Sequence, residues 1–341
     1  MTPSTSAGLG LTVLAGVMAG NCMLPSKFLR GWKWENMWAT FSLVSLVILP
    51  WSLAFLLVDH LGAVYRALGP SQLVTPFGFG MCWGVAQVLF GVSVARLGLG
   101  LAYPIIVGMG AALGTLVPLL VSQRNVLGRG TLLFVLGGIL FMLLGIALTT
   151  WAGRLRENSM EPGVLPRQQT RYTAAILLAV LCGFLAPMLN YSFAFGQQIA
   201  QQGVALGNSP FRAAYAVWPI SLLGGFFPNA GYSVYLLVRQ QSWSGFRAGL
   251  PDALWSLLMA VLWMGAFSVY GMSAAFLGNL GTSIGWGLFQ IFMIMTASLS
   301  GVLTGEWKRV RGKPQALLGA GMALLVLATL LLTMANGQSS S

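Results

Sequence analysis

Trp83 to Gly98 reads WGVAQVLFGVSVARLG, and the same design returns 180 residues later as Trp263 to Gly278, WMGAFSVYGMSAAFLG, with no gap between the two. Identical pairs include Trp83/Trp263, Gly91/Gly271, Ser93/Ser273, Ala95/Ala275, Leu97/Leu277 and Gly98/Gly278, and Phe90 faces Tyr270. Trp83, Gln87 and Phe90 fall at i, i+4 and i+7, on one face of a helix. Gly84, Gly91, Ala95 and Gly98 place small residues on another face, where they predict a seam for close helix packing. The two stretches therefore predict matching helices of an internal repeat, with a substrate between them.

Composition sets the environment of that repeat. The chain has 341 residues, of which 57% are hydrophobic and 7% charged, and its mean hydropathy is +0.80. A soluble domain carries about 25% charged residues, so this chain reads as an all-α, polytopic membrane protein. The net charge of +12 is assigned to basic loop anchors rather than to nucleic acid. Cys22, Cys82 and Cys182 lie in apolar segments without a CxxC or Cys/His cluster. Neither a metal site, a disulfide framework nor a cofactor is expected. Met1 to Gly10 has no basic start, so the first apolar segment is expected to stay as a helix.

A spanning helix needs about 20 largely apolar residues. Ten segments qualify, near 7–26, 36–58, 73–95, 99–121, 130–151, 173–196, 213–238, 252–276, 281–303 and 314–335. The polar tail from Asn336 to Ser341 is expected to be mobile. Loops after the odd-numbered segments carry fourteen Lys or Arg, among them Lys27, Arg30, Lys33, Arg154, Arg156 and Lys308; the even loops carry only Arg66, Arg124, Arg129 and Arg212. That asymmetry predicts cytoplasmic odd loops and both termini outside.

The repeat extends to Trp38 and Trp218 at the same offset, while Pro25 and Pro187 pair at an offset shorter by 18. The change places an insertion near 196–212, in a run rich in Gln and Gly. The chain thus divides into a first five-helix repeat at 1–155, a cytoplasmic linker at 156–172 and a second repeat at 173–341. Five helices is an odd number, so the halves cross the membrane in opposite senses. Inverted repeats are a transporter design, with the site near the midplane between them.

Buried polar groups and mid-segment aromatics mark where that site lies. An amide in hydrocarbon is costly without a partner. Trp83/Gln87 and Trp286/Gln290 form two aromatic–amide pairs at helical spacing. A sugar needs this chemistry, a flat apolar ring for its C–H face and amides for its hydroxyls; helix–helix glue is the competing explanation. Asn190 and Tyr191 follow Pro187, which breaks the sixth segment and frees backbone carbonyls. The substrate-binding set is Trp83, Gln87, Asn190, Tyr191, Trp263, Tyr270, Trp286 and Gln290. Gly16/Gly20, Gly110/Gly114 and Gly281/Gly285 predict close helix contacts. No acid and no His falls in the middle of a segment, although proton carriers commonly use one. Glu35 and Glu306, near segment ends, stand with Asn21 and Trp38 as gating or coupling candidates. No acid pair, triad or metal cluster supports an enzyme.

Trp32-Lys33-Trp34-Glu35-Asn36-Met37-Trp38, Ile48-Leu49-Pro50-Trp51, and Gly305-Glu306-Trp307-Lys308 with Gly312-Lys313-Pro314 resemble the bacterial L-rhamnose–proton symporter family, a branch of the drug/metabolite transporter superfamily. The resemblance covers nearly the whole length. It implies a drug/metabolite transporter-like fold and import of a monosaccharide, L-rhamnose or a related sugar, across the inner membrane with H+ as the coupling cation. Membrane lipid is then the surrounding partner. An exporter of apolar or amine compounds, and a facilitator of another neutral metabolite, are the alternatives. The former lacks the buried acid that such exporters use to hold a cation.

Overall fold

The structure, a computed structural model, describes residues 3–122, 128–160, 172–308, 310 and 312–339. These residues are helical and contain no strand. In chain order the helices are α1 (Pro3–Asn21), α2 (Trp34–Leu43), α3 (Leu49–Leu57), α4 (Leu61–Arg66), α5 (Pro70–Leu97), α6 (Leu99–Ser122), α7 (Arg129–Met160), α8 (Tyr172–Leu185), α9 (Met188–Phe195), α10 (Gln197–Ala205), α11 (Pro210–Ala213), α12 (Val217–Arg239), α13 (Leu250–Leu277), α14 (Ile284–Leu303) and α15 (Lys313–Ser339). Among the described residues, nine helical segments are long and apolar enough to span a membrane. The chain is a multi-pass membrane protein. The seventh expected segment forms α12, which is not one of the nine. Pro219, Pro228 and Asn229 dilute its apolar character.

Local sequence explains the breaks. Gly69 precedes Pro70 at the start of α5, where the missing proline N–H costs nothing. Gly98, with φ 75°, ends the helix. Between α2 and α3 a π-helical turn spans Val44–Ile48, so the chain from Trp34 to Leu57 is one continuous rod. The turn contains Leu46, whose carbonyl the ring of Pro50 would otherwise strike. Pro187 separates α8 from α9 as expected.

The bundle is held by long side-by-side pairs. α7 runs along α15 and α5 along α12; α1 lies against both α13 and α14, α8 against α5 and α6, and α2 against α12 and α13. The α5–α12 pair is close enough that a Cβ on Gly80 would stand 1.8 Å from the Ser221 carbonyl oxygen, and one on Gly84 2.5 Å from that of Gly225. Gly16 and Gly20 give α1 a similar approach to Phe292 and Met293 of α14.

Several expectations need correction. Gly84 packs, but a Cβ on Gly91 or Gly98 would meet nothing within 4 Å; Gly91 is exposed and Gly98 serves the helix end. The seam is built from Gly80 and Gly84 instead, because four-residue spacing returns to the face that meets α12. The tail is not free through Asn336–Gln338, since α15 continues to Ser339. α7 continues to Met160, so the linker begins as helix; 161–171 lie outside the described residues, and Tyr172 already opens α8. The run near 196–212 folds into α10 and α11.

Candidate functional site

The two tryptophans of the repeated stretch stack on each other, with ring centroids 5.5 Å apart and planes at 27°. Trp83 comes from α5 and Trp263 from α13. Trp263 also packs on Phe267 at 4.4 Å and meets Phe41 edge-on at 6.0 Å. The aromatic cluster continues through Trp218, which stacks on Phe193 at 4.6 Å, to Tyr270, Phe289 and Trp286.

Asn190 lies at the heart of this cluster and is 1% exposed. Its Nδ2 donates to the carbonyls of Gly114 and Thr282, both at 2.9 Å, and its Oδ1 accepts from the Tyr270 hydroxyl at 2.6 Å. One amide thereby ties α9 to α6, to α13 and to the turn before α14. Tyr191 donates to the Leu113 carbonyl at 2.9 Å. Trp286 donates from Nε1 to the Gly110 carbonyl at 3.1 Å and covers Gly114. Asn190, Tyr191, Tyr270 and Trp286 thus come together as a hydrogen-bonded latch. Their polar atoms are occupied by protein.

Gln87 and Gln290 differ. Gln87 is half-buried and Gln290 is 8% exposed, and neither side chain makes a hydrogen bond within the described residues. Gln290 lies four residues before Ile294, on the face that continues through Ala297 to Gly301. Those three residues line a cavity of about 270 Å³ together with Tyr103, Arg156 and Glu306. A second cavity, of about 740 Å³, borders Phe193, Gly271, Gly278 and Thr282. One cavity follows the last half of α14 and the other ends at Thr282, in the turn before α14, so the latch stands between them.

The gating candidates fall into two groups. At the Glu306 end, the Glu306 carboxylate pairs with Lys27, beyond α1, and with Arg156 of α7 at 2.5 Å. Arg156 also lies over the Trp307 ring, 5.2 Å from its centroid. Hydrogen bonding from Lys27, and then Arg156, outweighs burial and holds the Glu306 carboxyl below its usual 4.5. Asn21 accepts from Ser300 at 2.6 Å, so it fastens the end of α1, and Glu306 the turn beyond it, to the α14 end. Glu35 and Trp38 lie elsewhere. Glu35 is 2% exposed and accepts from the Ser242 hydroxyl at 2.5 Å. Trp38 donates to Asn229 at 2.9 Å. These two hold α2 against α12 and the turn that follows it.

Two contacts were not readable from sequence. Asp252 takes the backbone N–H groups of Arg30, Gly31 and Trp32 at 3.0, 2.7 and 2.8 Å. Its position beside Pro251 reads as an ordinary helix start. Thr12 and Ser273 join by their hydroxyls at 2.5 Å between α1 and α13; isolated hydroxyls in apolar helices carry no signal of their partners. Among the described residues no group of three or more His, Cys, Asp or Glu could hold a metal ion.

The profile of the L-rhamnose-proton symport protein family matches residues 4–337. The chain is 29% identical to an L-rhamnose-proton symporter of Cronobacter sakazakii, over 92% of this chain and 93% of that protein. It is 27% identical to one of Salmonella paratyphi B, over 96% and 97% respectively. With the match running from the first helix to the last, the chain belongs to the L-rhamnose-proton symport protein family.

Proposed function

We propose that this protein imports a monosaccharide, L-rhamnose or a close relative, together with a proton, by alternating access. The observation that carries the reading is the pair of unbonded amides, Gln87 and Gln290, beside tryptophans that line the boundary between the halves. Amides that the protein leaves open can meet sugar hydroxyls, and Trp83 and Trp263 can offer apolar faces to C–H groups. The family relatives are named for rhamnose and protons, which supports both substrate and coupling ion.

The frame is read as ten spanning helices in an inverted five-plus-five repeat, with α12 as the tenth, in the manner of drug/metabolite transporters. The packing pattern supports it. The α5–α12 pair has its counterpart in α13 with α2, and α1 on α13 and α14 has its counterpart in α8 on α5 and α6. α7 and α15 are counterparts that pack on each other. Trp83 and Trp263, equivalent at the 180-residue offset, are in contact, as a pair on a two-fold axis must be. The repeats at 1–155 and 173–341 then rock about the site. The Glu306 end, with Lys27 and Arg156, is read as cytoplasmic on loop charge, with both termini outside in a bacterial inner membrane.

Proteoliposomes test this directly. Addition of L-rhamnose should alkalinise the external medium lightly buffered around the vesicles, and Gln87→Leu should impair uptake while leaving thermal stability near wild type. Sugar movement without proton movement removes the symport; failure of every monosaccharide to bind or move removes the sugar.

A further inference from the structure

The cavity of about 740 Å³ has a chemistry that the central aromatic site does not use. One wall is α10, whose Ile199 and Gly203 are buried against the bundle while Ala200 and Val204 border the cavity. The opposite face of α10 turns Gln197, Gln198 and Gln201 toward the space. Gln198 accepts from the Gln72 amide at 2.8 Å and Gln197 donates to the Phe193 carbonyl at 3.0 Å. Gln201 is exposed and makes no side-chain hydrogen bond within the described residues. The facing wall comes from α13 and includes Ala275, with Phe193 and Thr282 at the inner edge. No lining side chain among the described residues is charged. The cavity at the Glu306 end, by contrast, is lined by Arg154, Arg156 and Glu306.

We propose that the glutamine face of α10 forms a second sugar subsite, an entry station that holds a neutral monosaccharide before it reaches the central aromatic site. This rests on the reading of the protein as a sugar importer. Three amides supply donors and acceptors in both senses, which suits a ring of hydroxyls. An uncharged lining gives no compensation for a phosphate or an ammonium leaving water, so phosphorylated sugars and amines are excluded as occupants. The space lies within the 300–1,000 Å³ typical of small-molecule sites. Its inner edge is the latch itself, since Thr282 is bonded to Asn190 and Phe193 stacks on Trp218. A sugar at this station therefore waits at the barrier.

The test is L-rhamnose uptake in whole cells, with the double variant Gln197→Leu/Gln201→Leu and, separately, Ala275→Trp, which fills the cavity without touching a glutamine. The double variant should raise KM at least about fivefold with little change in maximal rate, because a lost entry station slows capture and not the rocking step. Ala275→Trp should cut uptake at least about tenfold at low sugar. Both should match wild type in surface expression and thermal stability. An unchanged KM in the double variant, or undiminished uptake by Ala275→Trp, overturns the proposal. Wild-type protein that moves no sugar would instead overturn the importer reading on which it rests.

Discussion

Replacing Asn190 by leucine removes three interhelical bonds at once, those to Gly114, Thr282 and Tyr270. Side-chain hydrogen bonds between membrane helices average about 0.6 kcal/mol each, which gives about 2 kcal/mol for the set. The Tyr270 hydroxyl is left stranded in a site that is 0% exposed, and an unpaired buried donor costs about 1–3 kcal/mol more. Leucine keeps the branched shape and heavy-atom count of asparagine and is bulkier, so no cavity forms. The expected loss is about 3–5 kcal/mol, measured by equilibrium unfolding in mixed micelles with increasing SDS. Tyr270→Phe alone should cost about 1 kcal/mol. In the double variant the second change should cost much less than it does alone, with a coupling of about 1 kcal/mol. A loss below about 1 kcal/mol for Asn190→Leu, or additive single effects, would refute the latch.

Glu306→Gln tests the ionic cluster at the other end. The folded carboxyl titrates below 4.5 because Lys27 and Arg156 favour its charged form. Its contribution is present above that value and is lost as pH falls through the lower folded one. Wild-type melting temperature should therefore drop more steeply than that of the variant below about pH 4.5; parallel profiles would show that the triad contributes nothing. The glycines give a contrast. Gly80→Ala must push against the Ser221 carbonyl and should cost about 1–3 kcal/mol as an overpacked contact. Gly91→Ala enters open space on an exposed helix face and should be neutral or gain about 0.5–1 kcal/mol. Thermal unfolding of the two proteins side by side measures what the close approach of α5 to α12 contributes.

Hydropathy made the segments legible, since a lipid-spanning helix must announce itself by length and apolarity. Pro187 made the α8–α9 break legible for the same local reason. The glutamine-rich run was harder. Gln197, Gln198 and Gln201 read as a polar insertion, yet Ile199 and Gly203 fall on the side that packs, and nine residues are too few for a periodic pattern to stand out. In the site, repeat matching singled out Trp83 and Trp263 with a substrate expected between their helices, but did not foretell that the two rings stack on each other. It could not say that Asn190 and Tyr191 spend their polar atoms on backbone carbonyls, because those partners lie 76 to 92 residues away. Composition identifies a costly amide, whereas its partner depends on tertiary geometry.

The Asp252 contact has a mechanical consequence. Three backbone N–H groups of the turn between α1 and α2 close on one carboxylate at the start of α13. A turn joining two helices is normally the compliant point of a bundle, where a hinge would be sought. Here it is clamped to a helix more than 200 residues downstream, so the end of α1, the turn and the base of α13 form one lever. Flexing has to fall outside this lever. The Lys27–Glu306–Arg156 contact lies at the lever's edge, and its ionic bonds can part without bending it.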